Sequence, residues 1–489
     1  MKRFTKTDIL AVLLLLLAAF LRFDELSLRP FHHDEGVNGF FLTKLVREGV
    51  YKYDPANYHG PSLYYLTLPL VGAFGLSDLA VRGTVALFGV LTIALMWRLL
   101  APLGAVFALA AMALITTSPG AVFFSRYFIH EMLFLCFTLA ILVASPRRGS
   151  TEIWRFFATG LALGLIFSTK ETAFVSVGAL AGGAVVAAWA VLGLSPLAIA
   201  REVFPFCRRH IDGLVNGLVA FVVTCGLLYS SMFRNAEGLL DAFRTFAFWT
   251  KTAVRDHDNP WSQHLLWLYE SDPVALYLGA LGVVVALAFR RSFLAVLAAV
   301  WALLLIGAYS VIKYKTPWLG LNMLLPLYIL GGYFIHELAS VRLGRVSLKG
   351  PAIALVFVAS GYALNQSRVL ETVRYDDEDH PYIYAHTQRS FLAFVKLVED
   401  NALKIGPGRN AGIAIFAREN WPLPWYLRNY PRAGYWGDFK EGVDADLYVS
   451  SVEQDPQMIA KLGSRYERLG PYNMRGVVNL VLWVPRPGL

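Results

Sequence analysis

Apolar runs of roughly 17 to 25 residues, the length a helix needs to cross about 30 Å of hydrocarbon, recur along the first three quarters of the chain and stop near residue 366. They predict spans over 8–23, 80–98, 102–118, 130–145, 153–168, 172–194, 213–230, 273–289, 294–311, 319–338 and 350–366, about eleven in all. The stretch 61–76 is equally apolar but short and interrupted by Pro61, Pro69 and Gly75, so it reads as a re-entrant or lipid-facing helix. Beyond Ser367 the pattern changes. A polar segment over 374–380 precedes a helical periodicity over 387–400. Short β-branched or aromatic runs at 412–416, 446–450 and 477–484, bounded by turn residues, predict strands. The expected fold is a polytopic α-helical membrane protein, with residues 1–366 in the bilayer and 367–489 forming a small α/β domain.

Composition agrees: 56% of the 489 residues are hydrophobic, too many for a soluble enzyme of this length. The net charge of +9 does not point to nucleic acid, because the cations lie in short connectors between apolar runs rather than in one stripe. If the first span runs outward and 61–76 does not cross, the inner connectors are those holding Arg98, Arg147 with Arg148 and Arg155, Arg201 with Arg208 and Arg209, Arg290 with Arg291, and Arg342 with Arg345 and Lys349. Every cation-rich connector then faces the cytoplasm, as the positive-inside rule requires. The protein is expected in the cell membrane with its N-terminus cytoplasmic, and with the segments 24–79, 119–129, 169–171, 231–272, 312–318 and the C-terminal domain outside. Lys2, Arg3 and Lys6 ahead of an apolar run suggest a signal peptide, but no small-residue cleavage site follows, so 1–23 reads as a retained span. Cys136, Cys207 and Cys225 read as buried apolar groups, with no disulfide or thiolate metal framework.

The unusual polar residues gather in the outer segments. In the first, Phe31-His-His-Asp-Glu-Gly-Val-Asn38 sets Asp34 and Glu35 beside His32 and His33. Such a group can act as a general base, hold a divalent cation, or be an ordinary solvated loop. Tyr58-His-Gly-Pro61 follows. The segment Phe123-Phe-Ser-Arg-Tyr-Phe-Ile-His-Glu131 offers Arg126, Tyr127, His130 and Glu131; Arg126 and His130 would share a face if the next helix extended back to them, and interfacial anchoring is the plainer alternative. Lys170 and Glu171 occupy a connector so short that they must lie at the bilayer edge, neutralising each other or facing a polar cavity. Lys313, Lys315 and Trp318 stand at a further boundary, where lysines either meet phosphate or snorkel beside an aromatic belt. The run 256–264 is rich in Asp and His but too irregular in spacing to be strong evidence for metal. Acids that activate a hydroxyl, with cations that hold an anionic leaving group, suit transfer from a lipid-linked phosphate donor.

An Asp-Glu pair in the first outer segment, many spans and an outer soluble domain resemble the polyprenyl-phosphate-dependent glycosyltransferases of the C superfamily (GT-C), which include protein O-mannosyltransferases and lipid A aminoarabinose transferases. More closely, His33-Asp-Glu-Gly36, Tyr58-His-Gly-Pro61, Ser125-Arg-Tyr-Phe-Ile-His-Glu131, Thr169-Lys-Glu171, Tyr314-Lys-Thr-Pro-Trp318 and Tyr384-Ala-His-Thr-Gln388 resemble the prokaryotic "flippase activity-associated" family. The resemblance implies transfer of a sugar from a polyprenyl-phosphate donor to a glycan, lipid or protein acceptor on the extracytoplasmic face. It makes Asp34 the base or an acceptor-orienting carboxylate, Glu35 its partner, and Arg126, Lys315, Lys170 and Lys313 the donor-phosphate contacts. His33, Asn38, Tyr58, His59, Tyr127, His130, Glu131, Glu171 and Trp318 would line the pocket, and a divalent metal ion stays open as a cofactor. The narrower family's label implies instead a non-catalytic flippase or an accessory protein for lipid-linked oligosaccharide.

Overall fold

The computed structural model describes residues 5–57, 59–146, 152–255 and 259–486. Tyr58, Arg147, Arg148 and the acids at 256–258 lie outside the described residues. The chain divides into two compact units, one of Met1–Leu26 with Val50–Val373, the other of Ser27–Gly49 with Arg374–Leu489.

All eleven apolar segments are helical. In chain order the helices are α1 (Lys6–Phe23), α2 (His33–Glu48, in the second unit), α3 (Ser62–Phe74), α4 (Asp78–Leu100), α5 (Ala105–Thr117), α6 (Pro119–Ser125), α7 (Glu131–Ala144), α8 (Ile153–Phe167) and α9 (Ala173–Leu192). They continue with α10 (Pro196–Arg209), α11 (Ile211–Tyr229), α12 (Glu237–Arg255), α13 (Gln263–Ser271), α14 (Pro273–Phe289), α15 (Phe293–Val311), α16 (Gly320–Ser340) and α17 (Lys349–Thr372). A two-residue hairpin of β1 (Arg342–Leu343) and β2 (Val346–Ser347) joins the last two. Among the described residues six helices are long and apolar enough to cross a membrane, or up to eight if each of two bent pairs is one span. This is a multi-pass membrane protein. Helices α3, α7 and α8 are apolar but shorter.

Two of the connectors between the expected spans carry helices. Residues 119–125 form α6, bent 60° from α5, and α13 is bent 114° from α14. Pro119 and Pro273 stand at the first position of the following helices, where a missing N–H costs nothing and the preceding residue is pushed out of the helical region. One buried carboxylate ties the two breaks together: Asp272 accepts from Ser118 Oγ at 2.5 Å and from the Gly120 amide at 3.0 Å, and Ser118 also bonds Tyr328 at 2.6 Å. Arg22, fully buried, donates to the carbonyls of Ile115 and Thr116 at 3.1 and 3.3 Å and to Ser125 Oγ at 3.1 Å. It thereby satisfies carbonyls that the end of α5 leaves without partners.

The second unit adds α18 (Ser390–Lys404), β3 (Ile413–Ile415), α19 (Leu423–Tyr426), β4 (Ala433–Tyr435), β5 (Leu447–Ser451), α20 (Asp455–Leu462), β6 (Tyr466–Arg475) and β7 (Val478–Pro485). The sheet runs β4-β3-β5-β7-β6, parallel among the first three and antiparallel from β5 onward. Strand alternation sorts its core: Ile413, Ile415, Leu447, Val449, Leu480 and Leu482 pack with Phe394 and Val398 of α18. Ala414, Phe416, Tyr448, Val481 and Trp483 pack on the other side with Met458 and Leu462 of α20.

Helix α2 belongs to this unit because it docks on 421–426. Phe31 stacks on Trp425 with ring centroids 4.8 Å apart, and a Cβ on Gly39 would stand 2.6 Å from the Trp425 ring. Gly39→Ala is expected to destabilise the second unit by about 1–3 kcal/mol through overpacking. Its melting, followed by tryptophan fluorescence of the full chain, should fall; an unchanged transition would show that the indole yields freely.

Candidate functional site

The candidate residues divide between the two units. In the second, Asp34 and Glu35 form the first turn of α2, not a solvated loop: Glu35 is fully buried and Asp34 half-buried. His32 caps the helix. Its main-chain N–H donates to Glu35 Oε2 at 3.1 Å, and its ring Nδ1 accepts from the Asp34 amide at 3.0 Å. Because Nδ1 accepts an amide proton, the ring proton must sit on Nε2, which donates to the Tyr384 carbonyl at 2.7 Å. Both contacts require a neutral imidazole in one tautomer. Burial, followed by the neighbouring His386, keeps its proton affinity well below the usual histidine range. This capping box orients the two carboxylates, and the helix N-terminus favours their negative charge. Asn38 is buried one turn further on.

His33 faces a group that the sequence does not announce. Arg475, at the end of β6, donates to His33 Nδ1 at 3.2 Å, to Glu419 Oε2 at 2.8 Å and to the Trp421 carbonyl at 2.9 Å. Burial first, then the Arg475 charge, pushes the His33 pKa down to about 4, with Glu419 opposing. The unfolded ring takes its proton near 6.5 and the folded one only near 4, so between these values the unfolded chain binds more protons and stability falls as pH is lowered. Melting of wild type and His33→Gln, compared at pH 7 and pH 4.5, should show the smaller acid loss in the variant. Equal losses would remove His33 from the pH response. Tyr384 has its pKa raised by burial and then by the Asp34 charge, which sets it in the same electrostatic neighbourhood.

In the first unit, three separate motifs converge. The amides of Gly60 and Ser62 donate to the carbonyls of Thr169 and Ser168, each at 3.0 Å, and His130 Nε2 meets the Gly60 carbonyl at 3.0 Å. A Cβ on Gly60 would lie 2.2 Å from the Ser168 carbonyl oxygen, so the crossing requires glycine. Around it Lys170 pairs with Glu131 at 2.5 Å and His59 with Glu171 at 3.1 Å, while the His59 and His130 rings lie 5.0 Å apart. Lys170 and Glu171 therefore each find a partner outside their own motif rather than neutralising each other. Helix α7 starts at Glu131 with His130 as its cap, so it does not reach back to Arg126 as the four-residue spacing would need.

Arg126 instead caps α6 and ties together two helix ends. Its Nε lies 2.6 Å from Glu371 Oε2 on α17, and its guanidinium donates to the carbonyls of Leu21 and Glu25 at 3.0 and 3.2 Å. Tyr127 is buried and packs near Trp318, ring centroids 6.2 Å apart. Lys315 is buried, with Nζ donating to the carbonyls of Ser310, at 3.2 Å, and Ile312; Lys313 is exposed. Among the described residues no group of three or more His, Cys, Asp or Glu side chains could hold a metal ion.

Glu371, Arg475, Glu419 and Trp421 are absent from the motifs of the sequence. Each is an isolated charged or aromatic residue whose partner lies far along the chain, and nothing local marks it. Tyr384 and His386 were within a recognisable motif.

No family model matches the chain, and no curated protein matches it. Solved structures do. ArnT from Cupriavidus metallidurans in the apo state aligns with TM-score 0.69 at 15% identity over 97% of both chains. The same protein bound to undecaprenyl phosphate aligns with TM-score 0.67 at 15% identity, again over 97% of both. The Archaeoglobus fulgidus oligosaccharyltransferase in the apo form aligns with TM-score 0.56 at 12% identity over 96% of this chain and 74% of that one. The chain shares the fold of these proteins.

Proposed function

We propose that the protein is an integral-membrane glycosyltransferase that moves a sugar from a polyprenyl-phosphate donor to an acceptor on the extracytoplasmic face. The observation that carries this reading is the first turn of α2, where Glu35 is occupied closing the helix cap and Asp34, beside it, keeps a partly exposed carboxylate on a rigid element. The shared fold with an ArnT that binds undecaprenyl phosphate supports the donor class.

In the proposed reaction Asp34 takes the proton of the acceptor's nucleophile as that atom attacks the anomeric carbon from the side opposite the phosphate. The bond from anomeric carbon to phosphate oxygen breaks, and its electron pair leaves on polyprenyl phosphate. Cations stabilise that charge. Lys315 spends two of its three N–H donors on carbonyls and retains one, and the exposed Lys313 stands beside it. Arg126 and Lys170 reach a phosphate only by exchanging Glu371 and Glu131 for it.

The alternative, a flippase or its accessory, calls for a polar route through the bilayer. Helices α5, α9, α14 and α15 carry no Asp, Glu, Lys, Arg or His. The test is to supply the protein, reconstituted in liposomes, with a panel of radiolabelled polyprenyl-phosphate sugars. Release of polyprenyl phosphate coupled to labelled product supports transfer. Redistribution of intact donor between leaflets without cleavage would replace it with the flippase reading.

A further inference from the structure

Helix α2 carries acids in its first turn and cations in its last turns. Lys44 and Arg47, with Arg428 from the 424–435 segment, line a cavity of about 260 Å³ whose floor includes Phe40 and Tyr435; Glu48 is the one carboxylate among its lining residues. Contacts with carbonyls and aromatic rings hold the three cations in place. Arg47 Nη2 donates to the Arg428 carbonyl, and the Arg428 guanidinium lies 4.1 Å over the Trp425 ring while donating to the Trp425 carbonyl at 2.6 Å. Lys44 Nζ stands 5.0 Å from the centre of the Phe40 ring. Neither Lys44 nor Arg47 has a carboxylate in ion-pair contact among the described residues, whereas Arg126 and Lys170 of the first unit are each matched to one.

The negative end of the α2 dipole accounts for basic residues in its last turns. It does not account for Arg428, which comes from a segment some 380 residues away in sequence. A second, larger cavity of the same unit, about 610 Å³, is lined by Glu441, Asp444, Lys461 and Arg465 and is balanced in charge. The smaller cavity has a net positive lining, two guanidinium groups suited to bidentate contact, and an ammonium that serves as a point charge.

We propose that this cavity binds a phosphate ester or diphosphate, presented either as a phospholipid headgroup or as a soluble anion. Thirteen residues of helix at about 1.5 Å each separate Asp34 from Arg47, roughly 20 Å, so the site is distinct from the proposed transfer centre and stands whether or not Asp34 is a base.

The full chain in phosphatidylcholine nanodiscs, treated with an amine-acylating ester and mapped by mass spectrometry, tests this. Lys396 and Lys440, exposed on the same unit, serve as internal controls. Acylation of Lys44 should slow about five-fold or more, with the controls unchanged, on adding inorganic pyrophosphate or on replacing part of the lipid with phosphatidylglycerol. Protection by pyrophosphate alone identifies a soluble anion, by phosphatidylglycerol alone a headgroup, and by both a site that reads only the shared phosphate. Arg47→Gln, at an exposed position, should abolish the protection while melting like wild type, and Arg428→Gln should abolish it although it also gives up the Trp425 contacts. Unchanged Lys44 acylation in both arms, equal slowing of the controls, or protection that survives in the double variant overturns the proposal.

Discussion

Replacing Asp34 by Asn is expected to lower sugar transfer by about 10² to 10⁴-fold in kcat, the usual contribution of a positioned general base. The substitution is nearly isosteric and keeps the main-chain contacts of the turn that holds it: the Asp34 amide donates to His32 Nδ1, and the His32 amide is held by Glu35. Donor affinity and melting should therefore stay close to wild type. Glu35 behaves differently. Glu35→Gln keeps an oxygen able to accept from the His32 amide, whereas Glu35→Ala removes the cap, at about 1 kcal/mol, and leaves that amide without its partner. The expected order of activity is wild type, then Glu35→Gln, then Glu35→Ala, with Asp34→Asn far below. Single-turnover transfer by saturated enzyme measures it, and undiminished turnover in Asp34→Asn removes Asp34 as the base.

The membrane unit was legible because its signal is long: an apolar run of nearly twenty residues leaves few alternatives to a helix. What the runs do not encode is how many of them cross. Helices α7 and α8 are short, and α5 and α14 continue past Ser118 and Asp272 into sharply bent partners, so composition alone leaves the expected eleven open. In the second unit β3, β5 and β7 lie where β-branched and aromatic runs put them. Strands β4 and β6 escaped for opposite reasons. The first is a three-residue edge strand, Ala-Gly-Tyr, and the second carries Glu467, Arg468, Gly470 and Pro471 in its middle, which break its alternation. The assignment of α2 to the second unit rests on Gly36, Gly39 and Phe31 meeting Pro422 and Trp425, a contact between segments almost 400 residues apart that no local pattern records.

The candidate site shows the same division. Residue type and order brought out Asp34, Lys170, Glu171, His130 and Glu131, because ionisable groups at a membrane boundary are conspicuous. Their pairing was not readable. Lys170 and Glu171 are adjacent in sequence, yet neighbouring residues project in different directions, so each reaches a different segment: Glu131 at the start of α7 for the lysine, His59 in the connector before α3 for the glutamate.

That pairing leads to the largest expected effect on stability. Lys170 and Glu131 are both almost wholly buried, 2% exposed each, with nitrogen and oxygen 2.5 Å apart. Lys170→Met strands the buried Glu131 carboxylate, a loss of about 3–5 kcal/mol, and Glu131→Leu strands the ammonium at similar cost. The double variant Lys170→Met/Glu131→Leu removes both charges together and is expected to regain most of the loss, since an apolar pair of similar volume replaces a desolvated ion pair. Reversible unfolding of the four proteins closes the cycle. Strong positive coupling assigns Lys170 to holding the start of α7 against the 168–172 turn. If the two single losses simply add, the pair is not coupled. A Lys170→Met protein that melts like wild type yet fails to bind donor would instead make Lys170 a ligand of the donor phosphate, with Glu131 its resting counter-ion.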